Sequence, residues 1–459
     1  MVLNELIVRP EVLKVEYAVR GEIVKLADEL VAQGRHIVFC NIGNPQAFDQ
    51  NPITYGRQLV AATEWPALLE QDILPEDVVE KARILLGDFS GNSAGSYSPT
   101  KGHPAIRAAV ANFVEIRDGT GAPDIENIIL TNGASEGGKI TLETLIAGPN
   151  DAILISRPQY PLYSATITEF GGTAIYYDLD EEEGWTLNRD QLERTIKEAR
   201  DKKLDIKAMV VIDPNNPTGA MLSKDDKEYI IGLAAEYGFT IIADEVYQEN
   251  TYNGKWKSFS SVLGGMGDEH DVPIIEYHSV SKGYFGECGK RGGWMRFINP
   301  QKVKGTNLTI VDVTEKMMAT RLSPNTDGQT MVYAMVTQPQ PGEPSYEIFN
   351  KERTEILGSL QRKAALIDSA FAQMRGVEVH GDFAALYRFP EIWLPEGATD
   401  SDYCKDLLQS PAGICVTPGS GFSLPGHARW AALPSEAQLD QLLPQAVDWH
   451  NSSRYARQN

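Results

Sequence analysis

The sequence has few cysteines, and their spacing gives them no obvious structural or metal-binding role. The 459 residues include four cysteines, and no two of them have Cys-x-x-Cys spacing. That spacing is typical of zinc sites and redox motifs, whereas dense cysteine frameworks are typical of small secreted domains. The scarcity predicts reduced thiols in a cytoplasmic protein rather than metal ligands or disulfides.

Long apolar runs and excess positive charge are missing as well. No uninterrupted apolar stretch is long enough to cross a bilayer, and residues 1–5 do not begin a secretory signal. We therefore expect neither a membrane-spanning segment nor a secretory signal. Lysine and arginine number 42 against 63 acidic residues, for a formal net charge of −21. Such a chain repels nucleic acid and anionic membranes, so we expect local arginines to bind any anionic ligand.

The length and the pattern of the middle of the chain predict a two-lobed α/β protein. A chain of 459 residues is too long for a single small core. Short β-branched runs alternate with amphipathic stretches, which indicates a mainly parallel sheet with helices between its strands. The predicted strands are 128–130, 152–155, 208–212 and 240–243, and two clear helices are 136–145 and 224–237.

From about residue 346 the pattern becomes that of a smaller α+β domain. A long amphipathic helix at roughly 346–374 precedes short strands near 377–379 and 385–387, and a final helix begins near Pro434. We expect the N-terminal segment to pack with this domain. The predicted division is an N-terminal arm (1–55) that forms part of the small domain, a large domain (56–345) and the small C-terminal domain (346–459).

The segment 279–293 (SVSKGYFGECGKRGG) places one lysine among hydroxyls and glycines, with an arginine nine residues behind it. Lysine forms Schiff bases with carbonyls once neighbouring cations or a dry pocket lower its pKa. Ser279, Arg291 and close-packed backbone supply what a phosphate needs. Lys282 is therefore a candidate for holding a phosphorylated aldehyde, pyridoxal 5′-phosphate (PLP). Taken alone, the motif favours an ordinary Gly-rich surface loop, and the further motifs reverse that interpretation.

Three further motifs follow predicted strands, where ligands of parallel sheets bind. Residues 132–138 (NGASEGG) offer N–H groups and a hydroxyl to a phosphate, although Ser135 is also a typical helix cap. Residues 213–219 (DPNNPTG) offer an amide to a phenolate oxygen, and are also typical of a plain turn. Residues 242–247 (IADEVY) place the carboxylate of Asp244 at the end of a hydrophobic strand, where a buried aspartate needs a cationic partner. A pyridinium N–H would be such a partner, and a role as the N-cap of a following helix is the alternative.

Two more motifs offer contacts for a planar ring and for a carboxylate. Residues 157–163 (RPQYPLY) carry Tyr160, whose ring can stack on a heterocycle or simply pack. Residues 417–422 (TPGSGF) precede Arg429, which can bind a substrate carboxylate in a bidentate manner or lie at the surface.

In this order the motifs resemble those of the class I/II aminotransferases of PLP fold type I, and more narrowly the alanine and glutamate–glyoxylate aminotransferases. The resemblance implies a large PLP-binding domain with a mainly parallel, seven-stranded-type sheet between helices, plus a smaller α+β domain. Members are homodimers with active sites at the subunit interface, so we expect shared sites here. The resemblance covers nearly the whole chain, through residues 17–23, 41–46, 158–165, 243–250, 279–293 and 416–422.

The resemblance also implies a role for each matching residue. Lys282 would carry PLP as a Schiff base and later move the proton between Cα and C4′, while Asp244 would pair with the pyridinium nitrogen. Tyr160 would stack on the ring, and Asn216 and Tyr247 would hold its 3-oxygen. The phosphate ligands would be Gly133, Ala134, Ser135, Ser279, Arg291 and, from a partner subunit, Tyr97. The substrate, through its α-carboxylate, would be received by Gly43, Asn216 and Arg429.

The chain departs from the family pattern on the substrate side. Ala428 stands where relatives usually carry phenylalanine, and the loop before Arg429 is about three residues shorter. We therefore expect room beside Arg429 for a larger amino acid. Arg388 and Arg321 are candidate contacts for a second negative group, and the sequence leaves their roles open.

We predict a PLP-dependent aminotransferase of amino-acid metabolism that works between a small L-amino acid, such as L-alanine, and a 2-oxo acid such as 2-oxoglutarate. The alternative keeps PLP but performs β- or γ-elimination, or C–C bond formation, on a bulkier amino acid such as S-adenosylmethionine. A non-enzymatic regulator on this scaffold is a third hypothesis, which the acidic charge disfavours. We expect a cytoplasmic homodimer without metal, membrane or nucleic-acid partners.

Overall fold

The computed structural model describes residues 8–16, 21–48, 50–252, 254, 256–267 and 271–458. Residues 17–20 of the N-terminal motif therefore lie outside the described residues. The α-helices are α1 Glu22–Ala32, α2 Thr54–Glu64, α3 Glu76–Asp88, α4 Pro104–Asp118, α5 Ala134–Leu145, α6 Pro161–Phe170, α7 Arg189–Asp201, α8 Lys224–Tyr237, α9 Phe259–Met266, α10 Ile310–Ala319, α11 Thr326–Val336, α12 Tyr346–Phe371, α13 Asp400–Gln409 and α14 Glu436–Ser452.

The strands and the short 3₁₀ turns complete the secondary structure. The strands are β1 Val38–Phe39, β2 Ile128–Thr131, β3 Asp151–Arg157, β4 Thr173–Asp180, β5 Thr186–Leu187, β6 Asp205–Ile212, β7 Thr240–Asp244, β8 Ile274–Ser279, β9 Gly293–Ile298, β10 Val377–Glu378, β11 Tyr387–Arg388, β12 Glu391–Ile392, β13 Ile414–Cys415, β14 Thr417–Pro418 and β15 Ala428–Ala431. The 3₁₀ turns are Val12–Lys14, Pro45–Phe48, Pro66–Glu70, Ser90–Asn92, Ile125–Asn127, Cys288–Lys290 and Gly419–Phe422.

A mainly parallel sheet lies at the centre of the large lobe. Within the described part of the chain it has eight strands in the order β2-β9-β8-β7-β6-β3-β4-β5. The pairs from β8 to β4 are parallel, whereas β9 is antiparallel to both of its neighbours and β5 is antiparallel to β4. The predicted α/β class is confirmed. The eighth strand, β5, has only two residues, which is too short to leave a periodic signal in the sequence.

The central strands are continuous apolar runs because both faces of the sheet are covered by helices. On β6, Ala208 and Val210 pack in one cluster with residues of α5 and α6. Met209 and Val211 point the other way and pack with residues of α7 and α8. Alternation therefore buries residues 208–212 of β6 on both faces, and this part of the strand shows no polar face in the sequence.

Helix starts depend on the cap that each sequence provides. The helix predicted at 224–237 has the observed bounds of α8, and the Ser223 side chain accepts a hydrogen bond from its first turn. The helix predicted at 136–145 begins two residues earlier, at Ala134. Its N-cap residue is Gly133, which has no side chain that could mark this start in the sequence. The first N–H groups of α5 are therefore left for another acceptor. No helix in the described ranges is both long and apolar enough to cross a bilayer.

A second, separate core joins the N-terminal and C-terminal parts of the chain. Strand β1 pairs in parallel with β13, and α1 packs near α13. Residues of α1, β1, the second half of α12, α13, β15 and α14 form one buried apolar cluster. The long helix α12 ends at Phe371, three residues before the predicted end at 374. The division at residues 55 and 345 stays a prediction.

Candidate active site

The carboxyl ends of β2, β6, β7 and β8 meet at one cleft of about 870 Å³. This is the edge at which parallel sheets bind their ligands. The sequence-predicted residues that line it are Gly43, Ala134, Ser135, Tyr160, Asn216, Asp244, Tyr247, Ser279, Lys282, Arg291 and Arg429. Gly133 lies directly before this lining, at the start of α5. Tyr97 is 75% exposed and is not brought to the cleft.

Lys282 lies in the turn after β8, near the middle of the cleft. Its Nζ donates a 2.7 Å hydrogen bond to the carbonyl oxygen of Gly43. The same nitrogen lies 5.7 Å from the centroid of the Tyr247 ring. A single carbonyl acceptor fixes where the amine points and leaves its other N–H positions for a ligand.

Asp244 ends β7 and is followed by turn residues rather than by a helix, so it is not an N-cap. Its Oδ2 accepts a 2.6 Å hydrogen bond from the hydroxyl of Tyr163. Its Oδ1 is buried and has no hydrogen-bond partner among the described residues. Burial raises the pKa of Asp244 to about 6, against the lowering effects of the Tyr163 hydroxyl, the backbone N–H of Val246 and the charge of Lys282. A cationic N–H donor in the cleft would satisfy this carboxylate.

We predict that Asp244→Asn stabilises the cofactor-free protein near pH 8 and not near pH 4. The folded-state pKa of about 6 exceeds the ordinary value of 3.8, so the contribution of Asp244 to stability is lost as pH rises through this range. A shift of about two units corresponds to about 3 kcal/mol, and we expect a gain of about 1–3 kcal/mol above pH 6. Urea unfolding at both pH values measures the gain.

The matched control is Asp72→Asn, which replaces an exposed carboxylate outside the cleft lining. It should leave the free energy of unfolding unchanged at both pH values. An equal gain from Asp244→Asn at both pH values would show that packing, and not the buried charge, is responsible.

The start of α5 forms a cradle for an anion. Gly133 has φ 81°, and a Cβ there would lie 2.5 Å from Nη2 of Arg291. That Nη2 donates 3.0 Å hydrogen bonds to Ser135 Oγ and to the carbonyl oxygen of Asn132. Ser135 therefore lies in the first turn and faces the cleft instead of capping the helix. The free N–H groups, the helix dipole and the guanidinium together favour a phosphate.

Arg429 lines the same cleft and is held rigidly, with 1% of its surface exposed. Its guanidinium carbon lies 4.3 Å from the ring centroid of Tyr387 and 4.7 Å from that of Phe422. Nη1 donates to Oδ1 of Asn216 at 3.0 Å, and Nη2 donates to the carbonyl oxygen of Asn41. Its Nε has no partner among the described residues. This arrangement presents a fixed positive charge to a carboxylate.

Ala428 does not create the expected room beside Arg429, so that part of the prediction is wrong. Along β15 the side chains alternate, so Arg429 lines the cleft while Ala428 and Trp430 lie in the apolar core of the small lobe. A phenylalanine missing at position 428 would leave space in that core rather than beside a substrate. Adjacency in sequence was misleading because neighbours in a strand face opposite sides.

The two other arginines considered as substrate contacts have different surroundings. Arg388 donates to Oδ2 of Asp368 at 2.5 Å, is 6% exposed and is absent from the cleft lining, so its candidacy is wrong. Arg321 does line the cleft, where its Nη2 donates to Glu143 at 2.5 Å. Only Arg321 therefore remains a candidate of the two.

The sequence reasoning missed three residues that shape the site. Tyr163 supports Asp244 and belongs to the same motif as Tyr160, so a helical spacing of three could have indicated it. Tyr387 lies on the predicted strand 385–387, and its hydroxyl is 3.2 Å from that of Tyr247. Asn41 contributes only its carbonyl oxygen, which has no signal in a side-chain pattern.

Comparison with known proteins agrees with this fold. Residues 65–445 match the family described as Aminotransferase class I and II. The chain is 38% identical to alanine aminotransferase 1, mitochondrial, of Arabidopsis thaliana, covering 97% of this chain and 86% of the relative. It is 39% identical to glutamate–glyoxylate aminotransferase 1 of the same plant, covering 94% of this chain and 92% of the relative.

The fold of an alanine aminotransferase from Pyrococcus furiosus matches with a TM-score of 0.79 at 26% identity, covering 97% of this chain and 100% of that one. The chain belongs to the class I and II aminotransferase family. It is an aminotransferase, an enzyme that moves an amino group between an amino acid and a 2-oxo acid, so the predicted family and reaction type are confirmed. The alternative of elimination or C–C bond formation is not favoured.

Proposed function

We propose that the protein binds PLP at Lys282 and transfers an amino group between a small L-amino acid, such as L-alanine, and a 2-oxo acid such as 2-oxoglutarate. One observation carries the proposal: Lys282, the unpartnered Oδ1 of Asp244 and the rigid Arg429 all lie in one cleft. When bound, PLP supplies an aldehyde for covalent attachment and a ring that stabilises negative charge at the amino acid's α-carbon.

The residues of the cleft fit this group. Asp244 would pair with the ring nitrogen, Tyr160 would stack on the ring, and Tyr247 and Asn216 would hold the 3-oxygen. Because Oδ1 of Asn216 already accepts from Arg429, the amide nitrogen is the end that remains to donate. The phosphate would be bound by Gly133, Ala134, Ser135, Ser279 and Arg291.

The chain's own residues would position the substrate and move its proton. Arg429 would bind the α-carboxylate, with Gly43 beside it, and this would fix the α-carbon above the cleft floor. Nζ of Lys282, directed by the Gly43 carbonyl, would remove the α-proton and later return one. Asp244, held by Tyr163, would keep its negative charge aimed at the ring nitrogen.

Two observations support a small amino donor. The relatives described above are named for alanine or for glutamate and glyoxylate. The cleft is also narrow near Lys282, since a Cβ added to Gly43 would lie 2.0 Å from the Tyr387 hydroxyl. Arg321, at the cleft, is the candidate for binding the second carboxylate of 2-oxoglutarate. We also propose a cytoplasmic location. Some relatives are named as mitochondrial, so the names of the relatives do not decide the compartment.

A single-substrate experiment tests the function. PLP-loaded protein given L-alanine alone should release pyruvate once per site and retain pyridoxamine phosphate. Added 2-oxoglutarate should then yield glutamate and restore PLP. Continuous ammonia release without pyridoxamine phosphate would indicate elimination instead. A higher kcat/KM for S-adenosylmethionine than for L-alanine would contradict the choice of substrate.

We further propose a homodimer in which Tyr97 completes the phosphate site of the partner, as its 75% exposure in one chain allows. Mixing Lys282→Ala with Tyr97→Phe subunits tests this. Each proposed site takes Lys282 from one subunit and Tyr97 from its partner. In each hybrid dimer one site therefore lacks both the lysine and the tyrosine, and the other site has both. After random mixing about one quarter of all sites would be wild type, so activity should exceed the average of the two variants.

The control is the same two variants assayed without subunit exchange, which should show only their average activity. If the exchanged mixture also stays at that average, Tyr97 does not act across the interface. A monomer by light scattering would remove the shared-site proposal altogether.

A further inference from the structure

Three possible metal ligands from distant parts of the chain meet where the two lobes touch. They are Glu181, which follows β4 of the large lobe, and His380 and Glu391 of the small lobe. One ligand atom from each of them lies within 4.8 Å of the other two. None of the three residues lines the active-site cleft. The sequence motifs predicted no metal partner, because ligands so far apart in the chain have no spacing that could indicate a site.

The surroundings of these ligands are strongly acidic. The ligands lie in a surface cavity of about 550 Å³. The described residues that line this cavity include no lysine or arginine, but they do include five carboxylates: Asp180, Glu181, Glu182, Glu378 and Glu391. Within the described part of the chain, the ion pairs of Glu181 are made with histidines only. A cavity of this charge attracts a metal cation.

Strand pairing holds two of these carboxylates against each other. Strands β10 and β12 are antiparallel, and their register places Glu378 directly opposite Glu391. Both residues line the cavity, so their side chains lie on the same side of the pair. Like charges at directly opposite positions destabilise a strand pair. A dication bound between them would replace this repulsion with attraction.

The carboxylate of Glu181 is oriented by a hydrogen bond from the small lobe. Nε2 of His427 lies 2.9 Å from Oε1 and 3.1 Å from Oε2 of Glu181. A carboxylate only accepts hydrogen bonds, so His427 is the donor. His427 is itself buried, with 4% of its surface exposed. Carboxylates that bind metals are commonly held by a neighbouring hydrogen-bond partner of this kind.

The backbone that carries the ligands is also fixed. A Cβ added to Gly381, directly after His380, would lie 2.9 Å from the carbonyl oxygen of Gly184. The amide nitrogen of Gly184 in turn donates a 2.9 Å hydrogen bond to the carbonyl oxygen of Glu181. Nε2 of His380 already lies 3.9 Å from Oε1 of Glu181. Contact between the two backbones therefore brings these ligands together.

We propose that Glu181, His380 and Glu391 bind a divalent transition-metal ion such as zinc, which ties the two lobes together. Zinc binds imidazole nitrogen and carboxylate oxygen at about 2.0–2.2 Å, and a water molecule commonly completes a set of three protein ligands. Two such ligands are at most about 4.2 Å apart, so small side-chain rotations bring the three atoms into range. The imidazole favours zinc over Mg²⁺ and Ca²⁺, which take oxygen ligands. The site is independent of PLP and of the proposed function.

A zinc titration of the full-length protein tests the site. Protein treated with EDTA and then titrated with Zn²⁺ should show one tight equivalent in wild type. His380→Gln and Glu391→Gln should each weaken that equivalent by at least about 100-fold, because each removes a ligand. Saturating Zn²⁺ should raise the thermal unfolding temperature of wild type by about 2 °C or more, and Mg²⁺ should not. Unchanged zinc binding in both variants would overturn the proposal.

Glu182→Gln is the matched control, since Glu182 lines the same cavity but is not one of the three ligands. It removes the same charge as Glu391→Gln and should keep the tight zinc equivalent. Equal weakening by both substitutions would show diffuse attraction by negative charge and would refute a built site.

The stability of Glu391→Gln should change its order with metal. Without metal this variant should be at least as stable as wild type, because the repulsion between Glu378 and Glu391 is removed. With saturating Zn²⁺ it should be less stable than wild type. The same difference from wild type with and without zinc would show that Glu391 has no part in metal binding.

Co²⁺ in place of Zn²⁺ gives a spectroscopic readout of the imidazole ligand. Wild-type protein with one equivalent of Co²⁺ should develop visible d–d absorption, which His380→Gln should lack or show at shifted wavelength. Identical spectra of wild type and His380→Gln would exclude His380 as a ligand and overturn the proposal.

Discussion

Lys282→Ala is expected to abolish nearly all turnover of L-alanine with 2-oxoglutarate while leaving the protein folded. General acid–base catalysis contributes about 10²–10⁴-fold, and the same substitution also removes covalent attachment of the cofactor. Among the described residues near the cleft, Lys139 pairs with Glu169 and Lys290 with Asp327, so neither is directed at the position of Lys282 Nζ. Because the Gly43 carbonyl is the one hydrogen-bond acceptor of the Lys282 amine within the described residues, its loss should change the thermal unfolding temperature little.

Steady-state kinetics measures the loss, and borohydride reduction followed by peptide mapping locates the attachment. The reduced cofactor should be found on Lys282 in wild-type protein. Lys139→Ala and Lys290→Ala are the matched controls, and both should keep the label and most of the activity. Label recovered on Lys139 or Lys290, or turnover of Lys282→Ala within tenfold of wild type, would contradict the assignment.

Arg429→Lys should lower kcat/KM for the amino acid and for the 2-oxo acid alike. Lysine keeps the charge but loses the planar fork, the contact with both aromatic rings and the bond to Asn216. Disrupting a buried charged contact typically costs about 2–5 kcal/mol, which corresponds to a loss of about 30-fold or more in kcat/KM. Most of the loss should appear in KM, because the carboxylate is bound before and during the reaction.

Arg321→Lys provides the comparison, since Arg321 lines the same cleft but pairs with Glu143. It should leave the KM of L-alanine unchanged, because alanine has no second carboxylate. A raised KM for 2-oxoglutarate alone would support Arg321 as the second carboxylate contact. If Arg429→Lys changed neither KM, the α-carboxylate would have to bind elsewhere in the cleft.

The sequence by itself determined the fold class and predicted transamination, with elimination or C–C bond formation left open as the alternative. Buried strands without a polar face, followed by turns rich in glycine, asparagine and aspartate, indicated a parallel sheet and the edge at which it binds ligands. Lys282, Asp244 and Arg429 were found because each lies in a motif whose residue types and order are informative without coordinates. The start of α5 was placed late because Gly133 offers no capping side chain to mark it.

Only the tertiary structure decided what surrounds those residues. Ala428 directly precedes Arg429 in the chain, yet the pleat of β15 directs the side chain of Ala428 into the small-lobe core. Tyr387 is 105 residues from Lys282 in the printed sequence, yet the two side chains flank one point above Gly43. Contacts of this kind follow from the packing of the two lobes against each other. That packing joins side chains that share no local sequence pattern, so no motif records it.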